Sequence, residues 1–129
     1  MRSEFDVKEP HSVKDLIKSF KHAFRGILTG VIIGRNIKVH YAATLVAVFS
    51  GLYFGISKVE LLIVLLVSMQ VICLEMINTA LERTVDLVTA EYHLYAKIAK
   101  DVAAGAVLIA AIFALIIGGV IFMPYILIM

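Results

Sequence analysis

Three long apolar segments run through the sequence, at residues 40–56, 59–81 and 102–128. A helix needs roughly 20 residues to cross a bilayer, so the second and third segments are long enough and the first is short. The chain has 129 residues and is 61% hydrophobic, and a chain of this size has too small an interior to bury such an excess. We therefore predict an all-α membrane protein, with one membrane domain over residues 1–129.

The region before the first span divides into a polar tail at residues 1–11 and a predicted surface helix at residues 12–36. The apolar stripe of this helix follows helical spacing through Leu16, Ile17, Phe20, Ala23, Phe24, Ile27, Leu28, Val31 and Ile32. Its opposite face is basic. Such an amphipathic helix is expected to lie in the membrane interface, with its lysines near anionic headgroups. Packing against other protein is the alternative.

The basic residues are unevenly distributed. Of the twelve Lys and Arg residues, all except Lys58 lie before residue 40 or in the polar stretch at residues 82–101. Because basic loops stay on the cytoplasmic side, we expect a multi-pass protein of the plasma (inner) membrane with a cytoplasmic N-terminus, a cytoplasmic polar stretch and an outside C-terminus. The net charge of +2 gives no indication of a nucleic-acid partner.

A polar stripe interrupts the second span. Its members are Glu75, Asn78, Glu82 and Asp86, which fall within about 80° of one helical face and cover about 16 Å of the axis. A carboxylate inside an apolar span is costly and is functional by default. Three carboxylates on one stripe also repel one another unless a cation or proton intervenes. A polar seam between packed helices is the alternative.

The chemistry of these side chains favours phosphate chemistry with Mg²⁺. Hard oxygen ligands suit Mg²⁺, which is usually shared with substrate phosphates. Glu75, the deepest carboxylate, is suited to act as a general base on a hydroxyl. Lys100, directly before the third span, would neutralise a phosphate, or would only anchor the helix at the membrane surface. A P-loop is excluded because no GxxxxGK[ST] motif occurs.

Three segments of the sequence resemble one known family. LEMINTALERTVDL, then EYH, then AKDVAAGAVLI are similar to the motifs of the prokaryotic diacylglycerol kinase / undecaprenol kinase family, and SFKHAFRG and RNIKVH look most like its Gram-positive undecaprenol kinase branch. The resemblance covers nearly the whole chain. It implies a homotrimer of three-span subunits with a surface helix. It also implies transfer of the γ-phosphate of MgATP to a membrane lipid alcohol, with undecaprenol favoured and diacylglycerol next.

The resemblance implies roles for individual residues as well. Glu75 matches the catalytic base, Asn78 the asparagine beside it, Asp86 an acidic partner, and Glu82 a glutamate that binds metal and nucleotide. The other nucleotide contacts that it implies are Glu91, Tyr92, His93, Lys100 and Asp101.

One position departs from the family pattern. Gly34, in the string IGRN at residues 33–36, stands where the family usually has a second metal-binding glutamate. Another residue or water then completes the Mg²⁺ shell, or metal affinity or activity is reduced. Two further family contacts would fall near Asp15, a poor phosphate ligand, and His22; Lys18 and His22 are only loose candidates.

Two alternatives to an active lipid kinase stay open on the sequence. The first is a family member with low or no activity, which the glycine at position 34 favours. The second is a non-enzymatic membrane protein, either an assembly factor or a proton relay that uses Glu75. That reading explains a carboxylate within a span, but not the polar residues that continue beyond it.

Overall fold

The computed structural model describes residues 12–128, which form four α-helices. They are α1 (Val13–Ile33), α2 (Ile37–Phe54), α3 (Lys58–Val88) and α4 (Leu94–Leu127). Three of them, α2, α3 and α4, are long and apolar enough to cross a membrane. The expected all-helical architecture with three candidate spans is thus confirmed for the described residues. The predicted tail at residues 1–11 lies outside them.

α3 is the central helix of the molecule. It packs most extensively against α4 and less extensively against α2, whereas α2 and α4 touch each other little. The buried apolar side chains are Ile37, Val64, Val71, Ile72, Val107 and Ile121. Most other large apolar side chains stay exposed on the outer faces. This pattern suits helices in a bilayer, because lipid tails are as apolar as the side chains that meet them.

Specific residues set the tight turn between α2 and α3. Gly55 ends α2 with a φ of 66°, a left-handed conformation that glycine adopts at little cost. Ser57 and Glu60 form a capping box that starts α3, in which the Glu60 carboxylate accepts from the Ser57 N–H at 2.8 Å. The Tyr125 hydroxyl donates to the same carboxylate at 2.8 Å. The turn is thereby attached to the end of α4.

The helices extend beyond the spans expected from hydropathy. α3 continues through residues 82–88, and α4 already includes residues 94–101. Only residues 89–93 of the polar stretch lie outside helices. The physical reason is that Glu, Arg and Lys are good helix formers, so a helix does not have to end where its sequence becomes polar. The whole polar stripe is consequently carried on one rigid helix.

α1 meets the rest of the molecule near its C-terminal end. Gly30 is its one buried residue, and a Cβ at that position would lie 3.4 Å from Cε of Met76 on α3. Gly26, one turn earlier, has no such neighbour. α1 ends at Ile33, and α2 begins at Ile37. This close approach brings the α1–α2 junction, residues 34–36, beside the polar stripe of α3.

Candidate active site

The polar stripe passes from the interior of the molecule to its surface. Glu75 and Asn78 are buried, with 2% and 6% of their surface exposed, Glu82 is partly buried, and Asp86 is exposed. The Asn78 Nδ2 atom donates a hydrogen bond to Oε1 of Glu82 at 3.1 Å. Helical spacing therefore brings these side chains together in the way the sequence indicates.

One buried polar atom of the stripe lacks a partner, and one buried carboxylate has no ion pair within the described residues. Oδ1 of Asn78 has no hydrogen-bond partner among residues 12–128, and leaving a buried acceptor unsatisfied costs about 1–3 kcal/mol. Glu75 takes part in none of the ion pairs of the described residues. A buried polar atom without a partner is unusual in a folded protein, so Oδ1 of Asn78 indicates a place where something else binds.

A cavity of about 430 Å³, here called the polar cavity, lies between the α1–α2 junction and α3. All four residues of the stripe line it. The other lining residues are Ile32, Ile33, Gly34, Arg35, Asn36, Lys38, Thr79 and Arg83. The polar cavity therefore combines acidic side chains from α3 with basic side chains, two of which come from the opposite wall.

A groove of different character lies on the other side of the stripe, between α2 and α4. Its first part is a cavity of about 320 Å³ that includes Glu75, Asn78, Glu82 and His40. A second cavity of about 310 Å³ shares Val39, His40 and Ala111 with the first and is lined further by Ala43, Thr44, Ala47, Ser68, Val71, Ala114 and Leu115. Together these two cavities are called the α2–α4 groove. It leads from the buried carboxylate along mostly small and apolar side chains.

A fourth cavity, of about 590 Å³, lies where the end of α3 meets the start of α4 and is called the α3–α4 cavity. Five predicted nucleotide contacts line it: Glu91, Tyr92, His93, Lys100 and Asp101. Lys100 Nζ forms an ion pair with Oδ1 of Asp86 at 2.5 Å, and Lys97 pairs with Asp101. Asp86 lines both this cavity and the polar cavity. The structure thus joins the two groups of candidates through one residue.

The structure gives a physical account of the glycine that departs from the family pattern. Gly34 caps the end of α1, and its N–H donates to the carbonyl oxygen of Gly30 at 2.8 Å. A Cβ at position 34 would lie 2.6 Å from that same oxygen and 3.0 Å from Cγ2 of Ile37. A side chain here would require the backbone to shift. The junction therefore supplies no carboxylate and, in this conformation, has no room for one.

The loose candidates of α1 lie apart from these cavities. Asp15, Lys18 and His22 are exposed, and none of them lines the polar cavity, the groove or the α3–α4 cavity. Asp15 has a structural task instead, because its carboxylate accepts from the N–H of Ser12 at 3.1 Å in the capping box of α1.

Sequence reasoning missed several residues around the site. Arg35 and Asn36 line both the polar cavity and the groove, Lys38 lines the first and His40 the second. The signal for His40 was its place inside an apolar helix, where ionisable residues are rare. Arg35 and Lys38 gave no separate signal, because the sequence alone presents them as charges that orient the chain in the membrane.

The oxygen atoms around the polar cavity fit a magnesium ion that is shared with substrate. Three carboxylates, those of Glu75, Glu82 and Asp86, and the unpartnered Oδ1 of Asn78 lie around it. Within residues 12–128 no group of three or more acidic, histidine or cysteine side chains is arranged to hold a metal on its own. Mg²⁺ commonly keeps several waters and binds one or two carboxylates together with phosphate oxygens. The donor set matches this second type of site.

The sequence matches a known family along most of its length. The model of the family described as Prokaryotic diacylglycerol kinase matches residues 21–122. The chain belongs to this family. The resemblance expected from the motifs is thereby confirmed, and the matched range includes Gly34, the whole polar stripe and the α3–α4 cavity.

Relatives within the family have named activities. The undecaprenol kinase of Bacillus subtilis is 44% identical over 107 residues, covering 83% of this chain and 87% of that protein. The diacylglycerol kinase of Synechocystis is 39% identical over 111 residues, with 85% and 63% covered. The diacylglycerol kinase of Escherichia coli K12 is 30% identical over 101 residues, with 78% and 83% covered. By name, the relatives of this chain are lipid kinases.

Proposed function

We propose that this protein transfers the γ-phosphate of MgATP to the hydroxyl of a membrane lipid alcohol, with undecaprenol as the favoured acceptor and diacylglycerol next. One observation carries the proposal: the buried Glu75 lines the polar cavity and also the polar end of the α2–α4 groove, whose far part is lined mostly by small and apolar side chains. A lipid kinase needs such a place, because it must bring a charged donor and an apolar acceptor to the same base.

The groove is proposed to hold the lipid and Glu75 to act as its base. The acceptor hydroxyl would lie at Glu75, and its chain would follow the α2–α4 groove past Ala43 and Ala47. Glu75 takes the hydroxyl proton, the lipid oxygen attacks the γ-phosphorus, and the bond to the bridging oxygen breaks, so that ADP leaves. Asn78 supports this step, because its Oδ1 is available to accept from the hydroxyl or from a water.

The nucleotide is proposed to extend from the α3–α4 cavity into the polar cavity. Glu91, Tyr92 and His93 would contact it at one end, and Lys100 with Asp101 would hold it beside Asp86. Lys100 would then exchange its present carboxylate partner for a phosphate. Glu82 and phosphate oxygens would hold Mg²⁺, which supplies charge neutralisation on the phosphates when bound.

The remaining parts of the proposal concern the membrane. We infer that α1 lies in the cytoplasmic interface, since its large apolar side chains are exposed along one side and its basic side chains would meet headgroups. The N-terminus is assigned to the cytoplasm and the C-terminus to the outside. A homotrimer is expected from the family resemblance.

Phosphorylation in a defined lipid mixture tests the proposal. The purified protein in mixed micelles with MgATP is expected to form undecaprenyl phosphate faster than phosphatidic acid from diacylglycerol. Faster reaction with diacylglycerol would reverse the order of acceptors. If neither lipid gives a product and ATP does not bind, the protein is a family member without activity. This is the second candidate function, because Gly34 supplies no carboxylate.

A further inference from the structure

Three basic side chains line the polar cavity from different elements. Arg35 and Lys38 come from the α1–α2 junction and the first turn of α2, and Arg83 comes from α3. All three are exposed enough to move toward a ligand. Within the described residues none of them forms an ion pair, since the two pairs found there use Lys97 and Lys100.

The absence of pairing is informative because carboxylates line the same cavity. Glu75, Glu82 and Asp86 are on its α3 wall, yet they and the three basic side chains are not joined within 4 Å. The positive and negative groups are instead separated by open volume of about 430 Å³. Such an arrangement complements a ligand that presents negative charge to the basic wall and a cation to the acidic wall.

A second observation points to a ligand in this cavity. Asn78, which also lines it, has a buried Oδ1 without a partner in the described chain. At the opposite wall, Gly34 leaves no room for a side chain, because a Cβ would lie 2.6 Å from the Gly30 oxygen. Between these two points the charge on the junction side is entirely positive.

We propose that Arg35, Lys38 and Arg83 form a phosphate-binding cradle that holds the terminal phosphates of the nucleotide by direct contact. The inference rests on the proposed kinase function and adds to it the source of the positive charge. Guanidinium groups bind phosphate oxygens through two parallel hydrogen bonds and keep their charge at all working pH values. The cradle does part of the work that a metal ion held at the junction would do, so phosphate binding persists without a divalent cation.

Binding of phosphate compounds without metal tests the cradle. The full-length protein is placed in bilayer discs of uncharged phosphatidylcholine, and the dissociation constants of pyrophosphate and ATP are measured by equilibrium dialysis in EDTA. The triple variant R35Q/K38Q/R83Q is expected to bind both about 100-fold more weakly, and each single variant about threefold to tenfold more weakly. Arg35→Lys is expected to recover part of the loss, because it restores charge without the bidentate geometry.

A matched control removes the same number of charges elsewhere. The variant K14Q/K21Q/R25Q changes three exposed basic residues of α1 that do not line the polar cavity, and it is expected to bind pyrophosphate as the wild type does. Equal binding by the cradle triple variant and the wild type would overturn the cradle, provided that circular dichroism shows both to be helical. If the triple variant does not fold, the single variants decide the test.

Three further outcomes separate the possible sources of phosphate and the two proposals. If the cradle substitutions alter pyrophosphate binding only in discs that contain phosphatidylglycerol, the cradle binds lipid headgroups. Its assignment to nucleotide phosphates is then wrong. If the wild type phosphorylates a lipid while the variants bind pyrophosphate normally, the cradle fails and the kinase function stands. If pyrophosphate binding depends on the cradle but no lipid is phosphorylated, the cradle stands and the kinase function fails.

Discussion

Two glutamates of α3 stand in opposite situations. Glu60, at the start of the helix, accepts hydrogen bonds from the Ser57 N–H and the Tyr125 hydroxyl, both at 2.8 Å. Glu75, four turns further on, is buried, takes part in no ion pair of the described chain and opens onto two cavities. A glutamate side chain therefore stabilises the fold at position 60, whereas at position 75 it is left free for a ligand.

The difference shows how a polar group in a membrane helix can be interpreted. A carboxylate whose bonding capacity is used within the chain contributes to stability, and its removal leaves donors without partners. A buried carboxylate whose capacity is unused lowers stability, and a fold keeps it only where a ligand or a reaction compensates. If this distinction separates structural from functional residues, substitutions at the two kinds of residue will affect stability and activity differently.

The largest effect is expected from the exchange of each glutamate for glutamine. Glu75→Gln is expected to lower lipid kinase turnover by roughly 10²–10⁴-fold, since general base catalysis contributes that much, while the protein still folds. Glu60→Gln, a change of the same size on the same helix, is expected to keep activity because glutamine also serves in a capping box. Radiolabelled phosphate transfer in mixed micelles measures both. Equal activity of the two variants would remove the assignment of the base.

A residue that has a partner within the chain and is still functional would contradict this distinction. Lys100 is satisfied by Asp86 in the structure, yet we expect it to hold a phosphate. Lys100→Gln is expected to raise the KM for ATP by about tenfold, the worth of one charge-assisted hydrogen bond, without changing the KM for lipid. Lys58→Gln, which changes an exposed lysine at the start of α3 that lines none of these cavities, is the control and is expected to leave the KM unchanged. If Lys100→Gln lowers thermal stability but leaves the KM for ATP unchanged, the ion pair between Lys100 and Asp86 is structural.

A smaller effect is expected from substitutions in the α2–α4 groove, which is proposed to hold the lipid chain. Ala43 lines the groove, whereas its neighbour Ala42 does not, although both are exposed. Ala43→Leu is expected to raise the KM for a long-chain lipid alcohol by about threefold to tenfold through loss of space for the chain. A short-chain alcohol should be unaffected, and Ala42→Leu should change neither value. Similar kinetics for both variants would show that the chain lies elsewhere.

The smallest effect is expected at the satisfied end of α3. Tyr125→Phe removes the hydroxyl that donates to Glu60 and is expected to lower the free energy of unfolding by about 1 kcal/mol, the net worth of one hydrogen bond. Kinase activity should stay unchanged, because this end is far from the polar cavity. Thermal unfolding in detergent, followed by circular dichroism, measures the shift. A loss of activity at unchanged stability would contradict a purely structural role.

Most of the helical architecture followed from local pattern. Long apolar segments gave the three candidate spans, and the spacing of Glu75, Asn78 and Glu82 placed them on one face, as the hydrogen bond between Asn78 and Glu82 shows. The ends of α3 and α4 were harder to place. Hydropathy marks where lipid contact ends, whereas the helices continue into the polar stretch because their backbone hydrogen bonds do not depend on that boundary.

What surrounds the stripe depended on packing between distant segments. Nothing in the order of residues shows that Arg35 and Lys38 would line the same cavity as Arg83, since they lie more than forty positions away along the chain. Gly34 was visible as a missing carboxylate, but only the approach of the Gly30 oxygen shows that the backbone leaves no room for one. Helical periodicity is local and can be counted in a sequence. Cavities form from the docking of helices, whose relative placement no local period specifies.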